Sequence, residues 1–321
     1  MNKILTKFQK IYKNKISAYS QKEFPETVYS KPIIYTMNLG RNRFRPVTAL
    51  VAGKISNADP ENTQIIAHIV ELIHTVIIIQ DDIADNDEIR RGEFTAWKKF
   101  GKIQAIFSAN FGTEYCHRKL ENLNCRQEIK KKIIDLFWQR INDVNKGQIL
   151  QANLKLDTNI DKKDFDNINL LKAGEGIWAV QAGSLVSGNK EFSDKFSNYA
   201  QNLGIAGMIK NDVDDIFLNN NYDSFFCDIK EGIVTILNYY LYKKLDSKEK
   251  HILKSYFGCG KTDLNIIKFI KNKLLEKKAY EYCKKEIDKK VDKAIEILNF
   301  IPEGYIKEKN LLIDWANNHR I

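Results

Sequence analysis

Proline and glycine are scarce in this chain, five and sixteen residues in 321, and neither gathers into a tract. No linker, low-complexity segment or convincing internal repeat divides the sequence, so residues 1–321 read as one domain able to bury a sizeable core. Cysteine is equally sparse. Cys116, Cys125, Cys227, Cys259 and Cys283 form no C-x-x-C pair and are odd in number, which argues against a disulfide framework and for free thiols in a reducing, cytoplasmic compartment. The opening MNKILTKFQKIYKNK lacks the unbroken apolar core of a signal peptide, and no run reaches the roughly 18 apolar residues of a membrane span. The chain therefore reads as soluble. Its acids do not balance its bases, and the formal charge is +10. The excess lysines come as scattered groups beside acids, such as Lys130 to Lys132, Lys243 and Lys244, and Lys284 and Lys285. That pattern marks solvated helix faces rather than a nucleic-acid surface, while leaving room for anionic substrates and peripheral contact with anionic lipid.

What the chain does have is an apolar helical run ending in carboxylates: VELIHTVIIIQDDIADNDEIRRG, residues 70 to 92. Ile66, Ile69, Val70, Ile73, Ile77 and Asp81 follow three- and four-residue steps with no Pro or Gly until Gly92. On such a helix Asp81 and Asp85 stack, and Asp82 lies about 100° round. Three carboxylates this close repel one another unless a cation sits among them, and hard oxygen donors suit Mg²⁺. Mg²⁺ completes its shell with phosphate oxygens, so a phosphorylated substrate is implied. Arg90 and Arg91 suit the same ligand, because guanidinium forks onto phosphate. A lone DDxxD also fits a solvated acidic helix end. A second acidic helix, LGIAGMIKNDVDDIF at residues 203 to 217, favours the metal reading: Asn211 and Asp215 share a face with Asp212 beside them.

With DDIAD first and NDVDD second, the sequence resembles the trans-isoprenyl diphosphate (polyprenyl) synthase family through nearly the whole chain. The resemblance implies an all-α, single-domain antiparallel helix bundle around a central apolar cavity, and a homodimer by analogy with that family. It also implies Mg²⁺ bound by Asp81, Asp82, Asp85, Asn211, Asp212 and Asp215. The substrates it implies are an allylic prenyl diphosphate and isopentenyl diphosphate. Gly40 to Pro46, GRNRFRP, resembles the family's GGKRxRP segment; Arg43 matches its arginine, while Asn42 replaces the lysine and Arg41 the second glycine. Pro46 falls in the first turn of the next helix, where backbone N–H groups favour anions. His74, almost two turns before Asp81, matches the family's donor-binding histidine, though a lone His on an apolar helix also fits a core position. Lys172 in LLKAG resembles the lysine that holds the allylic diphosphate, with Ala173 for Thr. Gln148 in KGQ falls on the cavity wall, and Asn110 stands where the family has Asp.

The second motif departs most: Gly207 and Met208 replace Phe and Gln, Asn211 replaces Asp, and Ile233 stands where DxxxGKxT expects lysine. On this reading Asp81, Asp82, Lys172 and Asp212 serve the chemistry, and Arg43, His74, Arg90, Arg91, Lys172 and Gln148 bind substrate. Ile77 and Val76, four and five before Asp81, are not aromatic, so a medium or longer product is expected. Two alternatives remain: a diverged terpene synthase or prenyltransferase using another acceptor, and a non-catalytic subunit of a heteromeric synthase. At the termini, residues 2 to 22 read as an amphipathic helix, Leu264 to Leu298 as helical by its recurrent apolar positions, Pro302 as the start of a last helix, and Arg320 as a candidate lid residue.

Overall fold

The computed structural model describes residues 24, 26–40, 43–217, 226–261 and 263–321. The amphipathic segment 2 to 22, and Arg41 and Asn42, lie outside them. In chain order the helices are α1 Lys31–Leu39, α2 Phe44–Ile55, α3 Pro60–Ala84, α4 Ala96–Phe100, α5 Lys102–Glu121, α6 Gln127–Ala152, α7 Lys162–Lys172, α8 Gly174–Leu185, α9 Lys190–Phe217, α10 Cys227–Glu231, α11 Ile236–Lys244, α12 Ser247–Tyr256, α13 Leu264–Glu276, α14 Ala279–Ile297 and α15 Ile306–Asn317. Among the described residues the only strands are β1 Ile89–Arg90 and β2 Glu93–Phe94, paired antiparallel. The fold is all-α, as the sequence implies.

Local chemistry sets the helix that carries the first motif. Asp59 caps α3 by accepting from the Asn62 N–H at 2.8 Å, and Pro60 occupies the first turn, where its missing N–H costs nothing. By length and composition α3 would cross a bilayer, contrary to the sequence expectation, yet most of its apolar stretch is buried inside the bundle. It is a core helix. α8 is buried almost all round and packs against α2, α3, α6 and α9, so it has no polar face to display. Buried apolar side chains from Phe24 to Ala316 form one contiguous cluster around it.

The helical pattern from 264 to 298 is two helices, α13 and α14, broken at Lys277 and Lys278. Lys278 adopts φ 58°, a left-handed conformation that ends a helix without glycine. Beyond Pro302 a 3₁₀ turn precedes α15.

Candidate active site

The end of α3 leads into a two-residue hairpin. Arg91 and Gly92 both take positive φ, 57° and 83°, as the tight turn between β1 and β2 requires, and glycine makes the second position cheap. The hairpin folds Arg90 back onto the acidic motif: its Nε donates to Asp82 Oδ1 at 2.6 Å. Trp97 locks the same turn by donating to the carbonyls of Asp82 and Asp87 at 2.9 and 2.8 Å. From α6, Gln148 Nε2 donates to Asp81 Oδ1 at 2.6 Å. Gly147 beside it lets α6 meet α7 closely, since a Cβ there would lie 2.8 Å from Lys172 Cγ. Lys172 Nζ donates to Gln151 Oε1.

The second acidic helix faces this group. Asp215 accepts from the backbone N–H groups of Cys227 and Asp228 at 2.9 and 3.3 Å, which draws the N-terminus of α10 into the site. Cys227 Sγ lies 3.6 Å from Asp87 Oδ1, joining the two acidic regions. Charges from both sides act on one another: burial, then Asp212 and Asp215, push the Asp228 carboxyl well up, with Asp85 adding to the effect. Burial and the neighbouring Asp81 and Asp87 raise Asp85 to about 7, and burial raises Asp212 to about 7 although Lys172 opposes it. Burial also raises Asp82 to about 6 against the pull of Arg90. Asp215 is raised by burial despite its two N–H donors. Asn211 is exposed, and Asp214 is engaged by Lys210 at 2.6 Å.

The donor chemistry fits a hard cation. Every candidate donor is oxygen, and buried Asp82 Oδ2 has no hydrogen-bond partner. Among the described residues no three or more His, Cys, Asp or Glu side chains come close enough together to hold a metal ion by themselves. Mg²⁺ bound by one or two carboxylates, with phosphate oxygens and water in its remaining positions, needs no such cluster.

A pocket of about 230 Å³ is lined by Gly40, Arg43, Arg45, Glu71, His74 and Arg91 among others, Arg91 being the chain neighbour of the Arg90 that holds Asp82. It brings together Arg43, His74 and Arg91 as the sequence suggested, but with carboxylate partners that local pattern does not show. Arg43 is 6% exposed and pairs with Glu71 at 2.9 Å. Arg45 is 35% exposed and pairs with Glu175 at 2.8 Å. Arg91 Nη1 donates to the Leu39 carbonyl at 2.9 Å. The last helix closes one side: Trp315 stacks on Phe44 at 5.9 Å, and His319 occupies the space that a side chain at Gly207 would fill, 3.2 Å from its Cβ position. Arg320 instead ties back to Asp288 on α14 at 2.8 Å.

Ile73, Val76 and Ile77 line another cavity of about 310 Å³ between α3, α5 and α6. Its walls are mixed, for Gln80, Asn110, Glu114, His117 and Asn145 join them. Asn110 therefore lies on the cavity wall. Asp228, Glu71 and Glu175 are the residues missing from the sequence assignment. Asp228 had a signal in its flanking DxxxG pattern; Glu71 and Glu175 are single acids on largely apolar helices and had none.

A helical bundle that sets two aspartate clusters opposite each other, with a lysine between them and an arginine pocket alongside, defines an enzyme site for phosphorylated substrates. The family model described as polyprenyl synthetase matches residues 26–274, and the chain belongs to that family. It is a prenyltransferase of isoprenoid synthesis. It is 28% identical to the geranylgeranyl diphosphate synthase of Saccharolobus solfataricus over 275 residues, covering 80% of each chain. It is 22% identical to the octaprenyl diphosphate synthase of Haemophilus influenzae, covering 85% of this chain and 83% of that one. The crystal structure of a polyprenyl synthase from Caulobacter crescentus, complexed with calcium and isoprenyl diphosphate, superposes with a TM-score of 0.88 at 19% identity, over 99% of this chain and 98% of the other.

Proposed function

We propose that this protein is a Mg²⁺-dependent polyprenyl diphosphate synthase that ionises an allylic diphosphate and condenses it with isopentenyl diphosphate to a longer trans-prenyl diphosphate. The observation that carries this reading is the division of the site into an acidic cleft and a basic pocket, the arrangement that two different diphosphates need. Asp81, Asp82, Asp85, Asp212 and Asp215 would hold Mg²⁺, with Asn211 offering its amide oxygen. Bound there, Mg²⁺ supplies the positive charge that stabilises departing pyrophosphate. Lys172 and Arg90 add fixed cations beside the leaving group. Gln148 holds the Asp81 carboxylate in place. Arg43, Arg45, His74 and Arg91 orient the second diphosphate so that its double bond meets the allylic carbon. Ile73, Val76 and Ile77 keep water from the allylic cation.

The relatives include both geranylgeranyl and octaprenyl synthases, so kinship leaves product length open. Non-aromatic Val76 and Ile77 admit a medium or longer tail, and the polar groups that share the cavity's lining limit it. Exposed Ile103, Ile106 and Phe107 on α5 and Trp138 on α6 support a homodimer. The single-domain, cytoplasmic reading, with no nucleic-acid partner and at most peripheral membrane contact, rests on the sequence features above.

The test is a product assay of the purified chain with Mg²⁺ and geranyl, farnesyl or geranylgeranyl diphosphate, each with and without isopentenyl diphosphate. Longer prenyl diphosphates formed only with isopentenyl diphosphate are the expected result. Hydrocarbons or alcohols formed without it would overturn the reading in favour of a terpene synthase, which the exposed Asn211 and the altered Gly207 and Ile233 positions support as the second choice. Activity only beside another subunit would favour the heteromeric reading.

A further inference from the structure

Glu175 lies outside every motif that carries the family resemblance, yet it is the most heavily engaged acid of the basic pocket. Its side chain is 6% exposed. Arg45 Nε reaches Oε1 at 2.8 Å and Oε2 at 3.1 Å, and His74 Nδ1 reaches Oε1 at 3.0 Å. Arg45 Nη1 also approaches His74 Nε2 at 3.4 Å, closing a ring of three side chains from α2, α3 and α8. A carboxylate only accepts, so His74 carries a hydrogen on Nδ1, and in the neutral ring Nε2 is an acceptor facing Arg45. The tautomer follows from this network.

We propose that Glu175 is the positioning residue of this pocket: it fixes His74 as the Nδ1–H form, aims Arg45, and serves as counter-ion when His74 takes up a proton on binding the diphosphate. The proposal rests on the reading that this pocket takes the isopentenyl diphosphate. Neutral His74 presents a lone pair at Nε2, which a phosphate oxygen repels. Protonated His74 donates from both nitrogens, one to Glu175 and one to the ligand, and Arg45 is released from Nε2 to fork onto the same phosphate. Before the ligand arrives, burial and then Arg45 hold His74 below its ordinary value, with Glu175 and Glu71 opposing them. An incoming dianion shifts this balance toward the imidazolium. The charged groups facing His74 across the pocket are Arg43, Arg45, Arg91, Glu71 and Glu175. By formal charge these sum to +1, three arginines less two carboxylates. Glu175→Gln raises that sum to +2, so simple attraction predicts tighter binding in the variant, whereas positioning predicts weaker.

The test titrates isopentenyl diphosphate, without metal, into the full-length protein labelled with [¹⁵N]histidine, following the His74 ring nitrogens and the Kd from pH 6 to 8. The His74→Gln variant assigns the signal. In the wild type, His74 is expected as the Nδ1–H tautomer when free and as imidazolium when bound, with Kd rising as pH rises. Glu175→Gln is expected to weaken binding tenfold or more and to erase both the tautomer preference and the pH dependence, and Glu175→Asp to restore part of each. Equal or tighter binding by a folded Glu175→Gln protein, with the His74 signals unchanged, would overturn the proposal alone. A wild type that binds no isopentenyl diphosphate, while still binding an allylic diphosphate with Mg²⁺, would overturn the underlying reading and the proposal together.

Discussion

The two halves of the site solve the problem of crowded charge in opposite ways. In the basic pocket each buried or half-buried cation meets a partner of the protein's own: Arg43 has Glu71, Arg45 has Glu175, and Arg91 has the Leu39 carbonyl. In the acidic cleft the carboxylates outnumber their cations: Asp82 has Arg90, Asp81 has Gln148 and Asp215 has two backbone N–H groups, and burial still disfavours the charge of Asp82 and Asp215. Asp82, Asp85, Asp212, Asp215 and Asp228 are all shifted toward the protonated form, and Asp82 Oδ2 has no partner. The difference teaches which ligand does structural work. The basic pocket is pre-organised and a diphosphate adjusts it, whereas the cleft holds carboxylates whose charge is disfavoured first by burial and then by one another, a cost that protons or metal cations relieve.

The comparison breaks most plainly if the cleft tolerates loss of its acids. Asp81→Ala or Asp82→Ala is expected to lower kcat/KM by about 10³-fold or more, more than loss of one oxyanion-type donor, at roughly 10²–10³. Steady-state kinetics at saturating Mg²⁺ measure it. Lys172→Ala comes next, expected to lower kcat within that same 10²–10³ range with a smaller change in KM, because its amine acts on developing charge.

A pH series sharpens the contrast. Because the folded carboxyls titrate near 6 to 7 at Asp82, Asp85 and Asp212, Mg²⁺ must displace protons below that range. Apparent Mg²⁺ affinity is expected to rise as pH increases from about 6 to 8 and then level off, read from activity at limiting Mg²⁺. A smaller effect tests the neighbouring cavity: Ile77→Phe is expected to shorten the product with little change in total turnover. The smallest concerns the C-terminal helix. Gly207→Phe places a ring against His319 and is expected to lower Tm, and adding His319→Ala is expected to recover part of the loss.

Much of the acidic half was legible in the sequence because its residues lie within single helical turns. Asp81, Asp82 and Asp85 sit together by α-helical spacing, and the Arg91-Gly92 turn needs only the two strands beside it. The basic half was legible only in its cations. Arg45 and Glu175 are 130 residues apart and meet because α2 and α8 pack together, which no local period encodes. His319 against Gly207 is equally non-local. The break at Lys277 and Lys278 has no local marker: no proline or glycine stands there, and Lys278 turns left-handed between α13 and α14, which touch each other. Asn110, which stands where the family has Asp, lies on the wall of the cavity beside α3.

The central claim is that the cleft buries carboxylates at a cost that metal cations offset, and a thermal unfolding comparison of wild type with Asp212→Asn at pH 8, with and without Mg²⁺, tests it most directly. An acid whose folded value is raised to about 7 binds its proton more tightly folded than unfolded, so the stability of the wild type falls as pH climbs from about 4 to 7 and stays low above. Without Mg²⁺ at pH 8 the variant is expected to have the higher Tm, and Mg²⁺ is expected to raise the wild type and narrow or reverse the gap. A variant less stable than the wild type without Mg²⁺, with a gap that Mg²⁺ leaves unchanged, would contradict the account.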